Sequence, residues 1–188
     1  MDELVSRACV LAEDTLSVSL PRRWKHVQGV LRKAELAGGL FREDADTLRA
    51  AAVLHDVGYA PAVVVTGFHA LDGADYLKRM GFPARVCALV AHHSCAYREA
   101  ELRGLTAELA QWIDEETPLR DALWWADMTT APDGTATNVH DRIDEIQRRY
   151  GPDDLVTFFV RQAKPELVAA VDRTEQRLQA AGIAYNAK

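Results

Sequence analysis

Cysteine is scarce in this chain. Cys9, Cys87 and Cys95 are the whole complement, and no two form a CxxC pair. An odd count without CxxC excludes a disulfide framework and a thiolate zinc site, and it suits a reducing compartment. Long apolar runs are missing too: no stretch of about 18 such residues exists, so no membrane-spanning helix is expected. The opening Met-Asp-Glu-Leu has no basic region ahead of an apolar stretch, so a secretory leader is not expected and cytoplasmic placement is. Positive charge is in deficit, with 22 Lys and Arg against 28 Asp and Glu and a net charge of -6. That argues against a grip on nucleic-acid polymers, which needs a basic surface to displace counterions. A small anionic substrate stays open, because a local metal or a few cations outweigh the global sign. There is no Gly-rich phosphate loop, no Ser-His-Asp order and no dinucleotide fingerprint. Strand-like sequence is nearly absent as well. The one β-like run is 62–66 (AVVVT) between Pro61 and Gly67, too short and partnerless to build a sheet.

What is present is helical periodicity. Leu48, Ala51, Ala52 and His55 follow i, i+3, i+4, i+7, as do Val27, Val30, Leu31 and Ala34, and Val86, Leu89, Val90 and His93. Pro21, Pro83, Pro118 and Pro165 suit first-turn positions, and Gly58, Gly81 and Gly182 suit helix ends. The reading is helices near 2–17, 21–38, 43–57, 68–80, 83–95, 104–114, 118–130, 138–150 and 153–181, the last broken near Pro165. The loop 134–138 is expected to be exposed. At 188 residues, 48% hydrophobic and 27% charged, the chain reads as a single all-α domain spanning 1–188. Its core lies at about 20–130, with a helical extension at about 139–181. A chain of this size buries roughly 70% of its unfolded surface and needs no staples.

Chemistry concentrates in one residue type. Every histidine except His140 falls in an expected helix with apolar neighbours: His26, His55, His69, His92 and His93. Asp56 follows His55 directly. Neighbours on a helix point about 100° apart, so the pair approaches a shared centre from adjacent directions. Asp127 lies one turn after Leu123 and leans toward the buried side. Imidazole and carboxylate donors without thiolate favour Fe, Mn, Co, Ni, Zn or Mg. A carboxylate has two oxygens and bridges two ions, and two such ions clamp a phosphoryl oxygen. Arg23 shares a face with His26 and is the best phosphate contact, its planar fork matching phosphate oxygens. Lys25 is a second candidate, and Lys78 and Arg79 weaker ones. Cys95 is read as a buried structural residue, and Trp124 and Trp125 as core. Asp72 and Asp75 are read as surface carboxylates, the alternative being that they orient the histidines.

The order His26 … His55-Asp56 … His69 … His92-His93 … Asp127 resembles the HD superfamily of metal-dependent phosphohydrolases, over about residues 22–130. The resemblance implies an HD-domain helical bundle. It implies that His26, His55, Asp56 and Asp127 hold a first metal. His69 and His92, with His93 as a further candidate, would hold a second, Asp56 bridging. Within the superfamily the chain is most similar to small bacterial HD proteins that include diadenosine-tetraphosphate hydrolases. Those share an Arg-x-x-His start like Arg23-Trp24-Lys25-His26. Many members carry a lysine three residues after the HD aspartate, where Tyr59 stands, so that lysine's role does not transfer. The cyclic-dinucleotide branch carries Gly-Tyr-Pro after its double histidine, and HHSCAYREA stands here instead.

The expected activity is therefore hydrolysis of a phosphoester or phosphoanhydride in a small metabolite, a nucleotide being one candidate, by attack of a metal-bound hydroxide. Asp56 is the central catalytic residue in that scheme, with Arg23 or Lys25 steadying the phosphoryl group. One or two divalent ions are the expected cofactor. The expected partner is a small phosphorylated substrate, with no membrane or nucleic-acid polymer and with a homodimer allowed. Two rivals share the ligand order: a diiron oxygenase related to inositol oxygenase, and a non-catalytic metal- or nucleotide-binding module.

Overall fold

The computed structural model describes residues 3–185. Among them are ten α-helices and no strand. They are α1 (Glu3–Leu16), α2 (Pro21–Ala37), α3 (Ala45–Leu54), α4 (His69–Arg79) and α5 (Ala84–Ala91). These are followed by α6 (Ala96–Arg103), α7 (Thr106–Leu109), α8 (Pro118–Met128), α9 (Val139–Tyr150) and α10 (Leu155–Ala180). The all-α class expected from periodicity is what the chain adopts. Among the described residues no helix is long and apolar enough to cross a membrane.

Helix α3 is the hub, packed against α1, α2, α5 and α8. Its sequence explains this. Ala50, Ala51, Ala52, Val53 and Leu54 are consecutive and all buried, and a helix apolar on every side belongs inside a bundle. The peripheral helices bury one stripe each: Val5, Ala8, Ala12 and Leu16 on α1, and Val139, Arg142, Ile143 and Ile146 on α9. Caps set several starts. Thr117, Asn138 and Asp154 accept bonds from backbone N–H groups in the first turns of α8, α9 and α10. Helix α10 lies along α8, α9 and α6.

Four expectations change. The helix expected over 83–95 ends at Ala91, because Ser94 (φ 47°) and Cys95 (φ 61°) are left-handed and redirect the chain. Helix α6 then forms where a loop was expected. Its polar sequence shows little periodicity, and it buries only Ala96, Glu99 and Ala100. The expected helix 104–114 shrinks to the four residues of α7. Pro165 does not break the last helix, which runs through it for 26 residues. Packing along three other helices outweighs the one backbone bond that proline removes. Segment 62–66 is a connection, as expected.

The loop after α8 was expected to be exposed, but part of it is seated on α2. Gly134 is buried, and a Cβ on Gly29 would lie 2.5 Å from the Gly134 carbonyl oxygen. Glycine at 29 lets the loop backbone approach that closely. Arg32 of α2 donates to the Gly134 carbonyl at 2.9 Å.

Candidate metal centre

Five backbone elements deliver side chains to one buried point. His26 comes from the middle of α2, and His55 and Asp56 from the C-terminal end of α3. His69 is the first residue of α4, His93 follows α5, and Asp127 lies in the last turn of α8. His26, His55, Asp56, His93 and Asp127 are all buried.

The tautomers follow from backbone acceptors. His26 Nδ1 lies 3.1 Å from the Ala131 carbonyl, His55 Nδ1 2.7 Å from that of Ala52, and His93 Nδ1 2.6 Å from that of Val90. A carbonyl only accepts, so each Nδ1 carries the proton and donates. The Nε2 lone pairs of the neutral rings then point inward. This is the backing that metal-ligating histidines require.

What they point at is more lone pairs. His26 Nε2 is 3.0 Å from Asp127 Oδ1. His55 Nε2 is 3.5 Å from Asp56 Oδ2 and 3.8 Å from Asp127 Oδ1, and it is buried with no hydrogen-bond partner among the described residues. His69 Nε2 and His93 Nε2 stand 3.0 Å apart. His69 Nδ1 has no backbone acceptor among the described residues, so its Nε2 is free to donate to His93. At His26 and His55 lone pairs face carboxylate oxygens, and a cation between them relieves that repulsion. Donor atoms of His26, His55 and Asp127 lie within 4.8 Å of one another, as do those of His55, Asp56 and His93. The residues therefore fit a metal ion, and His55 belongs to both groups.

The electrostatics favour anionic carboxylates and, at His69 and His93, neutral rings. Burial alone would raise Asp56, but Arg23 and the facing His55, His26 and His69 hold its carboxyl well below the usual range. Burial likewise opposes ionisation of Asp127, and the facing His26 and His55 together with Arg142 outweigh it, so its pKa is also lowered. Burial and the proximity of His93 push His69 well below the ordinary imidazole value. His93 is lowered by burial and by His55.

Asp56 presents two different faces. Oδ2 accepts from Arg23 Nη1 at 2.5 Å and looks toward His26 and His55, while Oδ1 lies 3.8 Å from His69 Nε2. The Arg23 guanidinium lies 3.4 Å over the Tyr59 ring, which stacks on His69 with centroids 4.0 Å apart. Tyr59, three residues after Asp56, thus packs between a cation and a candidate ligand. Burial raises its phenol well above the ordinary range, with Arg23 offsetting only part.

Two candidates are not brought to the centre. His92 is buried but turned the other way: its Nε2 lies 2.8 Å from the Trp112 carbonyl, and its own carbonyl accepts from Trp124 Nε1 at 2.9 Å. Adjacent residues diverge, so one of the double histidine faces the centre and the other braces the segment before α8. Lys25 is exposed, on a different face from His26. Lys78 and Arg79 are exposed near Trp112 and Tyr76. Cys95 is buried outside both donor groups, and burial pushes its thiol up. His140 is exposed, and Trp124 and Trp125 are core. Asp72 is neither surface carboxylate nor histidine support. It is 2% exposed and accepts from the N–H groups of Val65, Thr66 and Gly67 and the Thr66 hydroxyl, pinning the connection before α4.

Sequence reasoning missed Ser94 and Arg142. The left-handed Ser94 donates its hydroxyl to Asp127 Oδ2 at 2.5 Å. Arg142 of α9 is buried with Nη2 3.9 Å from Asp127 Oδ1. Neither carries a motif signal. Above the centre lies a cavity of about 70 Å³, walled by Arg23, Asp56, Tyr59, His69, His93 and Asp127 on one side. Arg142, Ile146, Arg149 and Tyr150 of α9 and Val156, Phe159 and Val160 of α10 wall the other side. The arrangement can hold cations beside a fixed guanidinium, in a cleft closed by the C-terminal helices.

A family model described as HD domain matches residues 23–129. Comparison with curated proteins and with solved structures finds no match.

Proposed function

The chain belongs to the HD-domain family, and from that premise we propose that it is a metal-dependent phosphohydrolase acting on a small phosphorylated metabolite. The observation carrying this reading is the convergence of bare Nε2 lone pairs on two carboxylates, with one guanidinium fixed beside them. In this reading His26, His55, Asp56 and Asp127 would hold one divalent ion, and His69, His93 and Asp56 would hold a second. When bound, such ions polarise a phosphoryl oxygen and make a coordinated water nucleophilic at neutral pH.

The chain's own groups do the rest. Arg23 donates from a position locked by Asp56 and Tyr59, so a phosphoryl oxygen arriving there meets a donor that needs no reorganisation. The Ser94 hydroxyl and the Ala131, Ala52 and Val90 carbonyls fix the orientation of Asp127 and the three rings. Apolar Phe159 and Val160 shield the cleft from bulk water, which strengthens every charge interaction inside it. A cavity this small admits one phosphoryl group rather than a whole nucleotide, leaving the remainder of the substrate at the mouth.

The test is metal analysis of the purified protein followed by phosphate release from a panel of phosphorylated metabolites and nucleotides, with and without added Mn or Co. Release that disappears in His55→Ala and Asp56→Ala is the expected result. Two irons per chain with oxygen uptake and no phosphate release would replace hydrolysis with oxygenase chemistry. Bound metal without either turnover would leave a binding module.

A further inference from the structure

Beside the metal cleft a second cavity of about 280 Å³ opens, and it shares Arg23, Arg142 and Arg149 with the first. Arg22, Pro21 and His26 line it too, and no carboxylate among the described residues does. Four arginines around one cavity stand out in a chain of net charge -6. We propose that this cavity is an anion subsite, and that the substrate carries a second phosphoryl group bound there while the first lies at the metal centre. The proposal rests on the phosphohydrolase reading for the first group and on its own observations for the second.

Arg142 is the strongest of these observations. It is 6% exposed, yet its Nε has no hydrogen-bond partner among the described residues. That Nε is sealed from solvent, so what Arg142 offers an anion is the part of its guanidinium that lines both cavities, held there by the buried stem. The counter-ions are insufficient as well. Glu145 is shared by Arg142 at 2.6 Å, Arg149 at 3.5 Å and Arg22 at 3.8 Å, while Asp127 lies 3.9 Å from Arg142 and Asp56 pairs with Arg23. Three carboxylates, none of them lining the cavity, thus face four guanidiniums. The start of α2 adds to this. Leu20 at its N-cap position supplies no side-chain cap and Pro21 has no N–H, so the uncapped backbone donors at the start of this 17-residue helix belong to Arg22 and Arg23, two residues that line the cavity. Two of the four arginines, Arg142 and Arg149, come from α9, outside the matched residues 23–129. The C-terminal helices thus complete a substrate site that the family core only begins.

Methylenediphosphonate, a non-hydrolysable pair of phosphoryl groups, is the probe, titrated into the full-length protein as purified. Arg149 is 30% exposed at the side chain, so Arg149→Gln is expected to fold, as is Arg22→Gln, whose side chain is 67% exposed. Each is expected to weaken binding about tenfold, the loss of one charge-assisted hydrogen bond. Arg148→Gln removes the same charge from the same helix, but Arg148 lies outside the cavity, beside the Asp144 carbonyl. It is expected to bind as the unaltered chain does. Equal affinities for Arg149→Gln and Arg148→Gln would overturn the proposal, since the diphosphonate would then be held by metal or by general charge alone. An Arg149-dependent site in a protein that releases phosphate from no substrate would support the subsite and sink the hydrolase reading.

Discussion

Gly58 lies two residues beyond the HD aspartate, where the chain turns against α4, and it is the position at which fold and site are tied most closely. A Cβ added there would lie 1.9 Å from the His69 carbonyl oxygen and 2.7 Å from the Gly73 nitrogen. Side-chain Cβ atoms essentially never come within 3.0 Å of a neighbour, so Gly58→Ala demands a displacement of at least 3.0 − 1.9 = 1.1 Å. Both clashing atoms are backbone of α4, and no rotamer relieves them. Overpacking of this kind costs about 1–3 kcal/mol, and the rigidity of the neighbour places Gly58→Ala at the upper end. For a domain of this size each kcal/mol lowers Tm by about 2–4 °C, so a fall of roughly 6–12 °C is expected. The displaced residue is His69 itself. Affinity for the ion that His69 and His93 would share should fall about 10–100-fold, as it does when a ligand's support is lost. The donors His26, His55 and Asp127 are backed by other elements and should keep theirs. Calorimetric melting and metal titration of Gly58→Ala, beside Gly104→Ala, measure both effects. Gly104 has open space around it and φ of +70°, so its alanine variant should lose only about 1–2 kcal/mol of left-handed strain and no metal. Equal melting and equal metal content in the two variants would refute the close-approach argument.

Three further outcomes are expected. Burial of Lys33, only partly offset by Glu175, lowers its ammonium to about 8, below the usual unfolded value of about 10.4. Between those values the unfolded chain holds a proton that the folded chain has shed, so this group makes stability rise with pH there. Urea titrations at pH 7.5 and 10 should show the gain in the natural chain and lose it in Lys33→Met, and parallel curves would contradict the burial of that ammonium. His93→Ala should lose metal, whereas His92→Ala should lower Tm at unchanged metal content because its role is the bond to the Trp112 carbonyl; plasma emission analysis separates them. Asp72→Ala removes a charged acceptor shared by Val65, Thr66 and Gly67 and should cost about 3 kcal/mol, with hydrogen exchange accelerating at those amides. Unchanged protection at Val65–Gly67 would show that the connection holds itself.

The legible part of the site lay in residue type and spacing. Histidines on apolar helix faces cannot be solvated there, so His26, His55 and His93 had to face something inside, and Asp56 and Asp127 were the carboxylates in phase with them. The double histidine shows where that reading stopped. His92 and His93 sit side by side at a helix end, and which ring turns inward depends on the left-handed bend at Ser94 and Cys95. No local propensity predicts such a bend. Asp72 shows the same limit from the other direction, since a carboxylate one turn into a helix reads as solvated until a loop folds over it.

Periodicity, proline placement and the missing strand-like runs determined an all-α chain, because helical spacing of apolar residues leaves few other ways to bury them. The ligand types also followed from sequence, because they are a matter of composition along each helix. Tertiary structure alone decided which lone pairs meet and that glycines at 29 and 58 let backbones close to contact. It also decided that Arg142 and Arg149, more than a hundred residues from His26, reach the same cleft. The physical reason is that donor convergence depends on how helices pack in three dimensions. Packing is fixed by contacts between residues far apart in the chain, where spacing along the sequence carries no signal.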